Sequence, residues 1–393
     1  MSMEFDVAIV GAGPAGLCFA RSLAGSGLSV AVVEKQPLEA ISVPGFDGRE
    51  VALTHASRGI LEQLGLWERF DPADVSELRN ARVSDGDSAH ALRISASDGR
   101  HERLGWLVPN HIIRRAAFEA IEGQGGLELV TGCGVKAVAE RGSRIEATLE
   151  DGRSIRARLL VAADSRFSQV RRMLGIGAAM RDHGRRMMVC RFEHTLPHHH
   201  VAWEWFDYGH TLALLPLNGN LSSAVLTLSP AAMAKVEAMG DAELAADLQR
   251  RMRGRRGEVT MTGTRHVYPL VSVYAQRFVA RRAALVGDAA VGMHPVTAHG
   301  FNLGLQGQAR LAGAVLQAHR DGADIGSDAV LGRYQRRHHA AAFPIYAGTR
   351  TVVELYNNER PLGRVLRRTT LRVANRLPPL RRAIAAHLTQ SGP

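Results

Sequence analysis

Residues 6–34 read DVAIVGAGPAGLCFARSLAGSGLSVAVVE. A buried-strand pattern, DVAIV, runs straight into GAGPAG; helical spacing follows through LCFARSLAGSG, and LSVAVV returns to β-rich composition before ending on an acid. The reading is one βαβ unit whose first turn faces an anion. Gly11 permits the tight turn, Gly13 lets the backbone approach a pyrophosphate, and Gly16 allows close packing of helix on sheet. With Pro14 and Ala15 these residues form the candidate pyrophosphate loop at a helix N-terminus. Glu34, with Lys35 beside it, closes the second strand where a carboxylate accepts both ribose hydroxyls and disfavours a ribose 2′-phosphate, so FAD or NAD fits better than NADP.

The chain has 393 residues and is 46% apolar, enough for two interlocked domains. Its formal charge of +11 is almost entirely arginine, since Lys35, Lys136 and Lys235 are the lysines. Such a surface attracts phosphates or an anionic membrane. Nucleic acid is not expected as a partner, because aromatics make up 5% and no basic run carries interleaved aromatics. Cys18, Cys133 and Cys190 lack CxxC spacing, which points to a reducing cytoplasm with neither disulfide framework nor zinc site. The start, MSMEFDVAIV, carries acids where a secretory signal is basic, and no uncharged run reaches the roughly 20 residues of a membrane span. Any membrane contact is therefore expected to be peripheral, on the inner face of the cytoplasmic membrane.

Two more segments join the first. Residues 158–175 (RLLVAADSRFSQVRRMLG) give a buried strand, Asp164 and a helix opening near Ser168; residues 285–307 (LVGDAAVGMHPVTAHGFNLGLQG) give a strand, Gly-Asp and a glycine-rich approach to a helix. GxGxxG first, an Asp-centred middle segment and a late Gly-Asp occur in this order in the FAD-dependent aromatic hydroxylases built like p-hydroxybenzoate hydroxylase, and the chain resembles that family over most of its length. One departure is Asp164-Ser165, where the family reads Asp-Gly. The residues alone leave Asp164 open between helix cap and cofactor contact.

The resemblance implies FAD as cofactor, with NAD(P)H as co-substrate. It implies that Asp288 meets the flavin ribityl chain, and that Pro295 and the backbone of 297–303, with Gly300, Phe301, Asn302 and Leu303, lie against the isoalloxazine ring. A helix from about Asn302 then points its N–H groups at the ring, and Gly292 joins Gly300 in the close approach. Asp47-Gly48-Arg49 resembles the family's Asp-x-Arg near the flavin, and Asn110 with Arg114 in VPNHIIRRAAFEAI resembles its polar pair. Val135 completes the expected cofactor set; no metal site is expected.

From about residue 178 to 270 short alternating runs (RMMVCRFEH, HVAWEWFDYG, HTLALLPLNG, SSAVLTL) predict an antiparallel sheet, followed by one helical stretch, AAMAKVEAMGDAELAADLQRRMRG. The expected architecture is α/β: an FAD-binding Rossmann-like domain (1–75, 100–177, 271–345), an inserted antiparallel-sheet substrate domain (76–99, 178–270) and a C-terminal helical basic tail (346–393). Trp203-Glu204-Trp205 is read as core or pocket wall rather than a halogenase element, and His198-His199-His200 as a loop.

The stretches DGREVALTHASRGILEQLGLW, LALLPLNG and HPVTAHGFNLGL and the tail TLRVANRLPPLRRAIAAHLTQ narrow the resemblance to the ubiquinone-biosynthesis ring hydroxylases, the UbiH-like branch. Thr297-Ala298-His299-Gly300 in place of Ala-Gly-Gln-Gly, and Gly307 in place of Asp, look most like UbiM-type 5-demethoxyubiquinol hydroxylases. The implied reaction is hydroxylation of a prenylated aromatic ring by O₂ through a flavin C4a-hydroperoxide, with His299 and Tyr208 as candidate catalytic side chains. In the tail Leu362, Leu366, Val373 and Leu377 share one helical face among arginines, a pattern suited equally to an anionic membrane, another ubiquinone-biosynthesis protein, or the chain's own surface. A hydroxylase of a soluble phenolic or polyketide, a non-catalytic flavin-containing assembly subunit, and a flavin reductase acting on isoprenoid double bonds remain alternatives.

Overall fold

The first strand, Ser2–Val10, ends in four consecutive buried residues, the apolar run of a strand covered on both faces. It pairs in parallel with Val30–Glu34 on one side and Ser154–Ala162 on the other. Leu127–Thr131 extends the sheet beyond Val30–Glu34, and Ala283–Leu285 extends it beyond Ser154–Ala162, again in parallel. The register places Val10, Val33, Ala162 and Leu285 at one edge. The backbone leaves that edge in the same way each time: Gly11 N–H donates to Val33 C=O (2.8 Å), Ala163 N–H to Val10 C=O (2.7 Å) and Val286 N–H to Ala162 C=O (2.9 Å). Three segments separated by well over a hundred residues thus emerge side by side. The computed structural model describes residues 2–86, 91–98, 101–207 and 209–357, together with Asn375, Arg382 and Ala385.

A second sheet of eight strands runs in the order Val291–Gly292, Val259–Ala275, Ala178–His194, Leu221–Leu228, His210–Pro216, Val201–Asp207, Asn80–Asp85, Ala91–Ser95. Its pairs are antiparallel except one, since Val201–Asp207 runs parallel to Asn80–Asp85. Asn218-Gly219 makes the expected turn, with Gly219 at φ +69°. The outer face carries two helices where the spacing predicts one: Pro230–Glu237 and Asp241–Arg251. Gly240 caps the second, and its N–H donates to Glu243 (3.2 Å). Met233, Val236, Leu244 and Leu248 pack there against Trp203, Trp205, Phe192 and Leu226 in a core separate from that of the first sheet.

Glu50–Leu53, Gly105–Pro109 and Ser76–Leu78 form a small third sheet. The long helix Gly300–Arg320 lies on the first sheet, and Asp328–Asn357 follows with Pro344 inside it. That last helix runs straight through position 345/346, so the boundary expected for the tail falls within a helix. The amphipathic pattern at 362–388 lies outside the described residues save three. Of these, Ala385 is fully buried against Leu92, Ile94 and Leu104, and Asn375 Oδ1 accepts from Arg93 N–H (3.3 Å). At those points the tail packs on the protein's own surface. Among the described residues no helix is long and apolar enough to cross a membrane, and no group of His, Cys, Asp or Glu is placed to hold a metal ion.

Candidate active site

A cavity of about 1480 Å³ lies between the emerging ends of the first sheet and the inner face of the second. Gly11, with φ +107°, forms its sharp turn; a Cβ there would lie 2.5 Å from Ala163 O, and one on Gly16 only 2.0 Å from Gly11 O. Gly13 is different, because a Cβ would meet nothing within 4 Å and would stand in the open cradle. The helix Pro14–Ser22 starts here with Pro in its first turn and without a side-chain cap, leaving backbone N–H groups directed at the cavity. Glu34 braces the loop: Oε2 accepts from Ala12 N–H (2.8 Å) and Oε1 from Gln36 N–H (2.9 Å), while the carboxylate still lines the cavity with Lys35.

The middle and late motifs are joined by a residue that the sequence reading missed. Arg166 donates to Asp288 Oδ2 (2.9 Å) and to Val271 C=O (3.1 Å), tying the two loops to the second sheet. Asp164 also lines the cavity, and its carboxylate accepts from Ser168 Oγ (2.5 Å), Gln169 N–H (2.8 Å) and Val170 N–H (3.1 Å). It therefore caps the helix Gln169–Met173 at the cavity edge. Ser165, at the family's glycine position, holds φ +91°. A side chain is strained there, so Ser165→Gly is expected to raise stability by about 1 kcal/mol in urea unfolding; a loss would show that the serine contributes contacts outweighing the strain.

Asp47 accepts from Arg49 Nη2 (2.6 Å) and Asn110 Nδ2 (2.7 Å). Burial alone would raise its carboxyl; these bonds and the Arg49 charge outweigh it and hold Asp47 below the usual range. Arg114 reaches Ala40 C=O (3.2 Å), and Arg49, Asn110, Arg114 and Val135 all border the cavity. Beside Asp47 lies a second residue not anticipated. Glu50 has a fully enclosed side chain and accepts from Arg191 Nε (2.8 Å) and Nη2 (2.6 Å), bridging the third and second sheets. Burial raises the Glu50 carboxyl despite Arg191.

At the far end His294 Nδ1 accepts from Val296 N–H (3.2 Å). Burial, with His183 and Arg166 nearby, pushes His294 down to about 3, so it stays neutral. Pro295, Gly300, Phe301 and Asn302 line the cavity; Asn302 also fixes the loop by donating to Ala52 and Ala298 C=O and accepting from Thr54 N–H. Leu303 was expected to meet the ring through its backbone, and its side chain points elsewhere. It is 2% exposed in the core and off the cavity wall, because the helix has begun at Gly300 and turns it inward. Gly292 is closely packed, since a Cβ would lie 3.1 Å from Arg166 Cβ. His299 is buried in the cavity wall; Tyr208 lies outside the described residues.

A flavin dinucleotide fits these residues. The loop cradle, an acid at the end of the second strand, Asp288 and a helix start border one cavity that continues under an apolar roof. The FAD binding domain family matches residues 4–346. The chain is 44% identical to the ubiquinone hydroxylase UbiM of Neisseria meningitidis, over 99% of this chain and 85% of that one. It is 30% identical to the 3-demethoxyubiquinol 3-hydroxylase of Escherichia coli, over 96% of each. The p-nitrophenol 4-monooxygenase PnpA of Pseudomonas putida has the same fold, with a TM-score of 0.78 at 19% identity over 99% of this chain and 98% of that one. A cradle assembled from three distant segments, and a family match over residues 4–346, place the chain in the FAD binding domain family.

Proposed function

We propose that this chain is an FAD-dependent monooxygenase that hydroxylates the aromatic ring of a ubiquinone precursor with NAD(P)H and O₂. The observation that carries the reading is the cavity itself, whose dinucleotide cradle opens without interruption onto an apolar roof large enough for a prenylated ring, in a chain related end to end to ubiquinone hydroxylases. Bound there, FAD supplies the passage of electrons from NAD(P)H and the activation of O₂. The chain's own residues do the rest. Gly13 and the helix start at Pro14 receive the pyrophosphate, Glu34 the ribose, and Asp288 the linker between ribose and ring. Met187, Val189, Val225 and Leu215 exclude water from the reacting end.

His299 is proposed to face the reacting ring from the loop side. The division into an FAD-binding part (1–75, 100–177, 271–345) and a substrate part (76–99, 178–270) is part of the same proposal. So is a position on the inner face of the cytoplasmic membrane, where a prenylated substrate resides; the arginine-rich sequence of the tail supports it.

The test is expression in bacteria lacking one ubiquinone ring hydroxylase at a time, with mass spectrometry of the quinone intermediates. In one strain the accumulated intermediate is expected to disappear and ubiquinone to return. Failure to clear an intermediate in every strain overturns the quinone assignment.

A further inference from the structure

Trp203 and Trp205 turn outward. Their rings stack at 5.1 Å, Trp203 Nε1 donates to Ser84 Oγ (2.8 Å), Trp205 Nε1 donates to Gly86 C=O (3.1 Å), and both lie in the core beneath the outer helices. Alternation along the strand sends Glu204 to the opposite face, into the cavity. The register makes its surroundings explicit. Across six strands the rung reads Leu92, Val83, Glu204, Ala213, Val225, Val189, and all six line the cavity. The next rung, Asp85, Phe206, Thr211, Thr227, Met187, adds two hydroxyls at the cavity wall; the Asp85 carboxyl at its end is fully buried and off that wall.

One carboxyl thus interrupts an apolar roof, and among the described residues no hydrogen bond or ion pair engages it. The arginines nearest in sequence or structure, Arg82, Arg253 and Arg255, stack on Trp203 and Trp205 on the other face. Val83 and Ala213 flank Glu204 within the sheet; Arg82, which also borders the cavity, Arg185 and His299 are among the titratable groups in its wall. Burial with no compensating partner pushes the Glu204 carboxyl up to about 8. Glu204 is half-buried, and what surface it keeps borders the cavity.

A half-buried carboxyl facing an apolar wall without a partner among the described residues is only partly solvated, and a ligand in the cavity can complete it. The surrounding rung is apolar, so that ligand is an apolar ring bearing a hydroxyl. Resting on the ring-hydroxylation reading, we propose that Glu204 is the specificity-determining residue that binds the substrate's ring hydroxyl and so fixes which ring carbon faces the flavin. An ordinary carboxyl near 4.3 and a phenol near 10 are separated by roughly six units. A carboxyl at about 8 narrows that gap to about two, so one hydrogen bond between them is well matched, with Glu204 as donor while protonated and as acceptor once ionised.

The experiment uses the FAD-loaded enzyme with 2-prenylphenol and its O-methyl ether as probes, their dissociation constants read from the perturbation of flavin absorbance. The wild type is expected to prefer the phenol by about tenfold or more, because methylation removes the donor that the carboxyl requires. In Glu204→Leu the preference is expected to fall to within about twofold, and in Glu204→Gln to be intermediate. Leucine among apolar neighbours should melt no lower than wild type, which separates lost recognition from lost folding; the glutamine variant is the isosteric check. An unchanged phenol preference in Glu204→Leu overturns the assignment, as does its absence in the wild type. If the preference behaves as expected but no ubiquinone precursor is cleared in cells, the quinone reading fails and the role of Glu204 stands. If precursors are cleared while Glu204→Leu keeps the preference, the reverse holds.

Discussion

Gly16→Ala is expected to yield protein that is largely insoluble and retains no flavin. The new Cβ would sit 2.0 Å from Gly11 O and 3.2 Å from both Gly11 C and Ala163 Cβ, and the nearest obstacle is main chain that cannot rotate away. Ordinary overpacking costs about 1–3 kcal/mol because side chains yield. Here relief requires lifting the helix Pro14–Ser22 from the sheet, a cost comparable with the whole stability of a domain, roughly 5–15 kcal/mol. Gly13→Ala is the matched control. Its Cβ meets no protein atom, so the apoprotein should unfold in urea as the wild type does, while FAD affinity falls because the methyl occupies the cradle. A soluble Gly16→Ala protein melting within a few degrees of wild type would refute the packing argument.

Arg191→Met is expected to cost about 3–5 kcal/mol at pH 8, since it strands the enclosed Glu50 carboxylate without its two donors. The pH dependence follows from the direction of the Glu50 shift. Its folded pKa is raised, so between the unfolded and folded values the native state holds more protons, and stability falls as pH rises through that window. Removing Arg191 raises the folded value further and widens the window. The loss should therefore be smaller at pH 5 than at pH 8. The double variant Glu50→Gln with Arg191→Met should recover most of it, because no charge is left buried. Urea curves at both pH values measure the wild type, Arg191→Met, Glu50→Gln and the double variant; equal losses at both, with no recovery in the double variant, would mean that the arginine acts mainly through its packing on Phe46.

The cofactor end was legible because its constraints are local. Gly11, Gly13, Gly16 and Glu34 are each fixed by what a turn, a helix start and a strand end demand, and those demands are written within thirty residues. The convergence of Asp164 and Asp288 on the same edge came only through resemblance, since nothing in their spacing says which strands pair. Arg166 was invisible for the same reason: an arginine in a loop has no signature until its acidic partner, 122 residues away, is placed beside it. The helix begins two residues earlier than expected, and since each residue of shift rotates a side chain by about 100°, periodicity alone did not show that the Leu303 side chain enters the core. Glu204 escaped on different grounds. Alternation separates the two faces of a strand but does not name them, and this sheet is covered by helices on one side and borders a cavity on the other.

The parallel sheet has a consequence for biosynthesis. Its first strand is made long before one of its neighbours, Ser154–Ala162, and the strand that flanks that neighbour, Ala283–Leu285, comes later still. Until residue 288 has cleared the ribosome the nascent chain has no complete cradle, and its most apolar strands stand without their full set of partners. Flavin insertion is thus confined to the time after residue 288 has emerged. Scarcity of free FAD in the cell would then be felt first as chains with a complete but empty cradle captured by chaperones, before it was felt as idle enzyme.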